Sequence, residues 1–252
     1  MLSWFRAQIK NHGLLTALRL LAFVLKNRLT VALGNKLLAA KLECPCCGWR
    51  GRRFFDYIEA GYRVPNVACP QCDSHSRHRA LYLWLKNQYQ IGTKRGRVLI
   101  FAPERALASI WDEAPQLQTI RTDIEPLRGV DLLADVMQLP FREESVSLIW
   151  CHHLLEQVAD DRAGMRELHR VLCSTGELLI SAGISDSKTT QELGGADQTM
   201  SGNWRLYGAD FTHRLEEAGF EVTPMSYDLS EAELKRYAIY RENFFCCRKS
   251  NQ

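Results

Sequence analysis

Residues 98–104 have the sequence Val-Leu-Ile-Phe-Ala-Pro-Glu, and residues 118–123 have the sequence Gln-Thr-Ile-Arg-Thr-Asp. The first contains a short apolar run typical of a strand buried in a parallel sheet, and the second is predicted as the next strand. Helical patterns separate the strands from residue 97 onward. This alternation predicts an α/β fold with a Rossmann-like, doubly wound, mostly parallel sheet. Asp123 lies about 20 residues past the first strand, where dinucleotide-type folds place a carboxylate on ribose hydroxyls.

Three further strands are predicted downstream. Residues 130–136 form the third and residues 147–153 form the fourth, while a helix and a fifth strand share residues 167–181. The fourth strand ends in His152 and His153, and open α/β sheets bind ligands at the carboxyl ends of their strands. We therefore expect both histidines to lie beside a ligand.

Residues 167–176 have the sequence Glu-Leu-His-Arg-Val-Leu-Cys-Ser-Thr-Gly, and Asp135 begins a D-x-x-x-L-P-F segment. With these motifs and Asp123, residues 97–183 resemble the class I S-adenosylmethionine (SAM) methyltransferases, in which E-L-x-R-V-L-x-x-G-G recurs between helix and strand. The resemblance implies that SAM is the cofactor, that Asp123 binds its ribose, and that Asp135 with Val136 faces its adenine. The candidate cofactor-binding residues are Phe101, Ala102, Pro103, Glu104, Asp123, Asp135, Val136 and Cys151.

The first strand does not end in the Gly-rich loop that usually lets the backbone approach the methionine part of SAM. Its exit is Ala102-Pro103-Glu104 instead. Pro103 has no N–H to donate, and neither alanine nor proline adopts a positive φ cheaply. We therefore expect SAM to be held by another route, with Glu104 on its amino group.

Methyl transfer from SAM depends mostly on proximity and in-line orientation, because the sulfonium already makes the methyl group electrophilic. A base helps if the acceptor is a hydroxyl or an amine that must lose a proton. His153 is the first candidate for this catalytic role and His152 the second. The alternative is a histidine held against the following helix by backbone groups, and Glu156 is expected to cap or orient local structure.

Two cysteine pairs of the form C-P-x-C occupy residues 44–47 and 69–72, with 21 residues between them. This spacing is typical of zinc ribbons, in which a tight turn directs both sulfurs of a pair at one ion. The predicted ligands of a structural Zn²⁺ are Cys44, Cys47, Cys69 and Cys72, with Cys46 as a bystander. Redox disulfides are the alternative, although the odd cysteine count and the lack of a recognisable signal peptide favour a reducing cytoplasm.

Four further residues are candidates for binding the substrate. Arg77 and Arg79 follow the second cysteine pair in a polar turn that enters a helix, and a solvated basic turn is the alternative. Arg205 and Tyr207 lie in a Gly-rich segment, residues 194–208, that we expect to be too irregular for a strand or helix. This segment is a candidate substrate lid, and an ordinary loop is the alternative.

A narrower resemblance covers most of the chain. The sequence is similar to a group of bacterial zinc-knuckle methyltransferases whose motifs are CPxCGW, CPxCxSxxRHR, F-A-P-E, HxLE, R-x-Y-G and AGF, here at residues 44–49, 69–79, 101–104, 153–156, 205–208 and 218–220. The chain departs from the group at Gln157, where a second histidine is usual. It also departs at Asn203, because D-H usually precedes the R-x-Y-G motif.

The N-terminal 42 residues carry seven Lys or Arg and no Asp or Glu, which leaves a net charge of −4 on the rest of the chain. Residues 14–33 predict a helix with polar residues on one face, namely Thr16, Arg19, Lys26, Asn27 and Thr30, and leucines over most of the remainder. Basic residues interrupt every window long enough to span a bilayer. We expect either an interfacial helix on anionic lipid or a helix packed on the protein itself or on a second subunit.

These patterns predict four segments: a basic helical extension (1–42), a zinc-knuckle module (43–80), a linking helix (81–96) and a SAM-methyltransferase domain (97–252). The predicted protein is cytoplasmic, with contact to the inner face of the membrane through residues 1–40. The favoured function is methyl transfer to a small-molecule, lipid-linked or glycan acceptor. The alternatives are an inactive methyltransferase fold that serves as an adaptor, and a zinc-ribbon RNA methyltransferase, which the acidic body disfavours.

Overall fold

A computed structural model of the chain describes residues 2–59, 62–197, 200, 202–240 and 243–250. The chain forms two compact units. The first unit comprises residues 1–89, 105–110 and 227–241, and the second comprises residues 90–104, 111–226 and 242–252. Each is described separately below.

The helices and strands follow one another along the chain with three short 3₁₀ turns, at Ile91–Thr93, Arg105–Leu107 and Leu155–Gln157. The helices are α1 (Leu2–His12), α2 (Leu14–Leu37), α3 (Ser76–Asn87), α4 (Ala108–Asp112), α5 (Asp161–Val171), α6 (Phe211–Glu217) and α7 (Glu231–Tyr237). The strands are β1 (Leu42–Glu43), β2 (Arg50–Gly51), β3 (Phe55–Glu59), β4 (Tyr62–Ala68), β5 (Gly96–Phe101), β6 (Leu117–Asp123), β7 (Leu132–Leu133), β8 (Val146–His152), β9 (Leu172–Ser181), β10 (Gln191–Asp197), β11 (Asn203–Leu206), β12 (Phe220–Pro224) and β13 (Phe245–Lys249).

The second unit is built on a seven-stranded sheet with the order β12-β13-β9-β8-β5-β6-β7. The five strands from β9 to β7 are parallel, and β13 and β12 are antiparallel additions at one edge. The chain goes from β5 outward to β6 and β7, then returns to place β8 on the other side of β5. This reversal makes the carboxyl ends of β5 and β8 a topological switch point. The predicted Rossmann-like, mostly parallel α/β fold is confirmed.

The third predicted strand is much shorter than expected. Only Leu132–Leu133 of residues 130–136 pairs with β6. Polar side chains end the ladder on both sides, since a carboxylate oxygen of Asp131 accepts the N–H of Arg121 at 2.9 Å and a carboxylate oxygen of Asp135 accepts the N–H of Met137 at 2.8 Å. Such side-chain to backbone bonds compete with strand pairing.

The prediction that residues 194–208 are irregular was wrong. Strands β10 and β11 pair as an antiparallel hairpin in which Gln191 lies opposite Leu206 and Glu192 opposite Arg205. The register shifts after Glu192, next to Gly194, whose φ of +75° suits a glycine. The glycines therefore do not prevent strand pairing, and the two strands pair with a shift in register. Residues 198, 199 and 201 of the connecting turn lie outside the described residues.

In the first unit, helix α2 is fastened to the neighbouring strands by asparagine side chains. The Oδ1 atom of Asn35 accepts the N–H groups of Arg52 and Arg53 at 2.7 and 2.8 Å, and that of Asn27 accepts the N–H of Asp56 at 3.0 Å. The side of α2 that carries Asn27 therefore faces strand β3. Residues 1–42 and 43–80 belong to one compact unit, which also includes residues 227–241.

Candidate active site and metal centre

A pocket of about 330 Å³ opens in the second unit beyond the carboxyl ends of β5 and β6. Its volume is near the lower end of the range for small-molecule sites. Segments that follow four strands of the sheet line it, together with one residue of the β10–β11 hairpin. Five of the eight predicted cofactor-binding residues lie in its wall: Phe101, Ala102, Asp123, Asp135 and Val136.

The other three predicted cofactor-binding residues do not line this pocket. Cys151 is fully buried in the apolar core around β8, and burial raises the pKa of its thiol above the usual range. Its side chain belongs to that core, and its contact with the cofactor stays a prediction. Pro103 and Glu104 follow β5 and are half-buried outside the pocket wall. Contact between Glu104 and SAM therefore stays a prediction.

Two carboxylates at the pocket are held by short turns. One oxygen of Asp123 accepts the N–H of Glu125 at 3.0 Å, directly after β6. One oxygen of Asp135 accepts the N–H of Met137 at 2.8 Å, and the main-chain oxygen of Asp135 accepts the N–H of Gln138. These backbone donors fix the orientation of each carboxylate. The pocket therefore presents two oriented carboxylates.

Two residues other than glycine have left-handed backbone conformations at the ends of adjacent strands. Ala102 follows β5 with φ of +44°, and His153 follows β8 with φ of +50°. The N–H of Ala102 donates to the oxygen of Thr122 at 2.9 Å, and that of His153 donates to the oxygen of Ser181 at 2.9 Å. Ala102 therefore adopts the positive φ that is costly for alanine, at a position where its N–H pairs with the neighbouring strand. Such strain, of about 1–3 kcal/mol per residue, is concentrated at functional sites in proteins.

The two adjacent histidines have different surroundings. Nδ1 of His153 lies 3.0 Å from Oε1 of Glu156, and the His153 side chain is 31% exposed. His152 is 6% exposed, with Nδ1 at 2.6 Å from the hydroxyl of Ser181 and its ring 3.9 Å from that of Trp150. His152 is therefore part of the packed interior, whereas the His153 side chain is partly exposed with its Nε2 atom buried.

Glu156 orients the His153 ring. Its Oε1 atom also accepts the N–H of Gly183 at 3.3 Å, and the residue is 5% exposed. A carboxylate beside Nδ1 holds the imidazole proton on that nitrogen and leaves Nε2 as the basic one. The pair has the arrangement of a general base and its orienting group.

Arg205 and Tyr207 do not lie on an open lid, contrary to the prediction. Arg205 is 3% exposed, and its guanidinium donates to three main-chain oxygens of the segment after β8, those of Leu155, Val158 and Ala159, at 2.7–2.9 Å. The buried hydroxyl of Tyr207 donates to Asp161 at 2.8 Å, and burial raises its pKa above the usual range. Both side chains fasten the hairpin, because these carbonyls and this carboxylate need donors once buried.

The sequence patterns did not single out Trp204, which lines the pocket next to the buried Arg205. Alternation along a strand places neighbouring side chains on opposite faces. A tryptophan next to an arginine in a short strand would have indicated a side chain that faces the pocket. This indication was missed because residues 194–208 were expected to form no strand.

The first unit contains a compact cluster of four sulfurs. The Sγ atoms of Cys44, Cys47, Cys69 and Cys72 all lie within 4.8 Å of one another. The Cys44–Cys72 and Cys47–Cys69 distances are 3.6 and 3.7 Å. A tetrahedral zinc site with Zn–S bonds of about 2.3 Å has S–S edges of about 3.8 Å. The donor set therefore fits Zn²⁺ closed by four protein ligands.

The two cysteine turns have matching geometry. Gly48 and Asp73 follow the pairs with φ of +72° and +62°, and their N–H groups donate to the oxygens of Cys44 and Cys69 at 2.8 and 2.9 Å. Cys46 lies outside the four-sulfur cluster, with its sulfur 3.8 Å from the oxygen of His78.

Arg79 has neither of the two roles considered for it, substrate contact or a solvated turn. It is fully buried, and its guanidinium donates to the main-chain oxygens of Val67, Ser74, Tyr237 and Ala238 at 2.6–2.9 Å. It also lies 4.2 Å from the centre of the Phe54 ring. Arg79 therefore ties residues 227–241 to the cysteine module. Arg77, in the first turn of α3, is half-buried, and its substrate role stays a prediction.

Replacing a cluster cysteine is expected to remove the metal and unfold the first unit. Structural zinc contributes about 10 kcal/mol or more to the folding of small modules. Cys72→Ser should lower the zinc content from one ion per chain to near zero, measured by elemental analysis of purified protein. Cys46→Ser is the matched control and should keep its zinc. Disulfide-bonded cysteines and no zinc in the wild-type protein would contradict this assignment.

A family model and several solved structures of methyltransferases are similar to part of this chain. The family model described as a methyltransferase domain matches residues 103–180. A structure containing the Haloferax volcanii methyltransferase activator Trm112 and a protein described as a methyltransferase matches with a TM-score of 0.49 and 15% identity, over 69% of this chain and 91% of that one. A SAM-dependent methyltransferase from Mesorhizobium loti matches with a TM-score of 0.48 and 15% identity, over 66% and 96% of the two chains. No curated protein matches the sequence.

The family match begins after β5 and ends near the end of β9, so it includes β6, β7 and β8, three of the four strands whose ends surround the pocket. The chain therefore carries a methyltransferase domain, which confirms the predicted enzyme class.

Proposed function

We propose that the protein transfers a methyl group from SAM to a small-molecule, lipid-linked or glycan acceptor. The pocket at the carboxyl ends of β5 and β6 is the observation that supports this most, because it combines two oriented carboxylates with apolar walls. A nucleoside needs both features, since its hydroxyls are polar and its base is flat and apolar on its faces.

SAM supplies an activated methyl group on its sulfonium. Asp123 would accept hydrogen bonds from the ribose hydroxyls, and Asp135 with Val136 would lie at the adenine edge. Ala102, at the end of β5, has a left-handed backbone conformation at a position where a glycine is more usual.

His153 is the proposed base. Nε2 would take a proton from an acceptor hydroxyl or amine, and the carboxylate of Glu156 would stabilise the resulting imidazolium through Nδ1. His152 has no part in this step, since its packing against Trp150 and Ser181 places it in the interior.

Removing the Asp123 carboxylate is expected to weaken SAM binding by about 10- to 100-fold, because hydrogen bonds to a charged acceptor contribute about 1.5–3 kcal/mol. Calorimetry on Asp123→Ala and the wild type measures this. Asp112→Ala removes an exposed carboxylate of the same unit outside the pocket and should bind SAM like the wild type. A wild-type protein that binds no SAM at millimolar concentration would instead be an adaptor.

The same preparations test the base. His153→Ala should bind SAM like the wild type and lower the transfer of labelled methyl groups into fractionated cell extract by about 10²- to 10⁴-fold. Glu156→Gln keeps a hydrogen-bonding partner without the charge and should lower the rate less. An unchanged rate in His153→Ala would show that this histidine only supports local structure.

The proposal includes contact between residues 1–40 and an anionic membrane surface. Leu14, Leu18, Leu25 and Leu29 of α2 are 47–63% exposed, whereas Ala17 of the same helix is buried. No helix among the described residues is long and apolar enough to cross a bilayer. Helix α2 packs on the protein's own body through its asparagines and still presents a leucine stripe outward, so both alternatives considered for this helix can hold at once.

Charge favours lipid as the occupant of this stripe. Residues 1–89 contain 14 Lys or Arg and 4 Asp or Glu, so the positive charge extends through the cysteine module. An apolar stripe flanked by basic residues is the composition of helices that lie in the interface of anionic bilayers. Because an enzyme held there meets membrane-resident substrates, a lipid-linked acceptor ranks first.

Placing charge on the stripe is expected to abolish this contact. The double variant Leu18→Glu with Leu25→Glu should bind vesicles containing anionic lipid at least about 10-fold more weakly, measured by flotation. Thr16→Glu with Thr30→Glu, which adds the same charge away from the stripe, is the matched control and should bind more tightly than the leucine variant. Equal binding by both variants, or a stable dimer or RNA complex with no vesicle binding by the wild type, would contradict membrane contact.

A further inference from the structure

The hairpin β10–β11 forms its own two-stranded sheet, separate in its pairing from the seven-stranded sheet. It nevertheless contributes Trp204 to the wall of the pocket. Trp204 and Phe101 are the aromatic residues of that wall within the described part of the chain. The hairpin thus supplies a large planar side chain at a site otherwise built from strand ends.

The position of Trp204 is fixed by the buried residue next to it. Arg205 binds the main-chain oxygens of Leu155, Val158 and Ala159, and its Nε donates to Glu192 on the paired strand at 3.0 Å. Residues 154 and 157–159 line the pocket themselves. The hairpin and this segment are therefore joined into one wall, and Trp204 belongs to it.

Further bonds hold the base of the hairpin. Arg214 donates to both Asp161 and Glu192 at 3.0 Å, and Tyr207 donates to the same Asp161. These bonds fix the backbone of the strand that carries Trp204, so a ligand that packs on its indole ring does not have to order that backbone.

From this arrangement we infer that Trp204 stacks on the adenine ring of SAM and is a determinant of cofactor binding. The inference rests on the proposed function. The pocket's carboxylates suit the hydroxyls and the edge of a nucleoside, and an indole suits the flat face of its base. When an aromatic side chain that stacks on a base is removed, the affinity commonly falls by about 10- to 100-fold.

The chemistry of three ligands separates adenine stacking from contact with the positive sulfur. SAM carries a sulfonium, S-adenosylhomocysteine carries a neutral thioether, and adenosine has neither. Stacking on adenine contributes equally to all three, whereas a cation–π contact would favour SAM alone.

Calorimetric titration of SAM, S-adenosylhomocysteine and adenosine into Trp204→Ala is expected to show affinities lowered about 10- to 100-fold for all three ligands. Trp204→Phe should retain affinity within about threefold. Trp204→Leu keeps an apolar side chain without a ring, and it should resemble the alanine variant. Met200→Ala alters an exposed residue outside the pocket wall and is the matched control.

The possible results are distinguishable. Unchanged affinities in Trp204→Ala, with SAM bound by the wild type, would overturn the inference and leave the proposed function intact. A loss confined to SAM would also overturn it, because the indole would then contact the sulfonium. If Trp204→Leu binds as tightly as the wild type, apolar burial rather than stacking accounts for the effect. No binding of SAM by the wild type would contradict the proposed function itself.

Discussion

Strand β5 forms parallel ladders with β6 on one side and β8 on the other, and this double pairing fixes the position of the proposed site. Parallel strands bring their carboxyl ends to one edge, so Ala102, Asp123 and His153 follow three adjacent strands there. The bond from Ala102 N–H to the oxygen of Thr122 continues the β5–β6 ladder one step past β5 and holds alanine at a positive φ. The strain at the pocket is a consequence of the ladder.

Features that depend on local pattern could be predicted from the sequence. Asp123 is the last residue of its strand, and its position depends only on that strand's direction. The sulfurs of Cys44, Cys47, Cys69 and Cys72 lie together, and each C-P-x-C pair forms its own turn. By contrast, the roles of Arg79 and Arg205 depend on carbonyl groups far along the chain, such as those of Tyr237 and Leu155, which no local pattern contains. The Gly-rich hairpin was missed for the same reason, since its anchor is a buried arginine that resembles a surface one in sequence.

The two buried arginines, Arg79 and Arg205, have the same physical role. Each brings a planar fork of N–H donors to main-chain oxygens that burial has removed from water. In the first unit Arg79 joins the cysteine module to residues 227–241, and in the second Arg205 joins the hairpin to the segment after β8. A basic motif that resembles a substrate site can therefore contain an arginine whose side chain is buried and binds main-chain oxygens.

The central claim is that SAM occupies the pocket beyond β5 and β6. Hydrogen exchange, measured by mass spectrometry with and without SAM, tests it most directly because it reports on the backbone segment by segment. The account predicts slower exchange in peptides that contain residues 101–104, 123–125, 134–137 and 154–159, with unchanged exchange in the cysteine module. Protection confined to other segments, or no protection at saturating SAM, would contradict it.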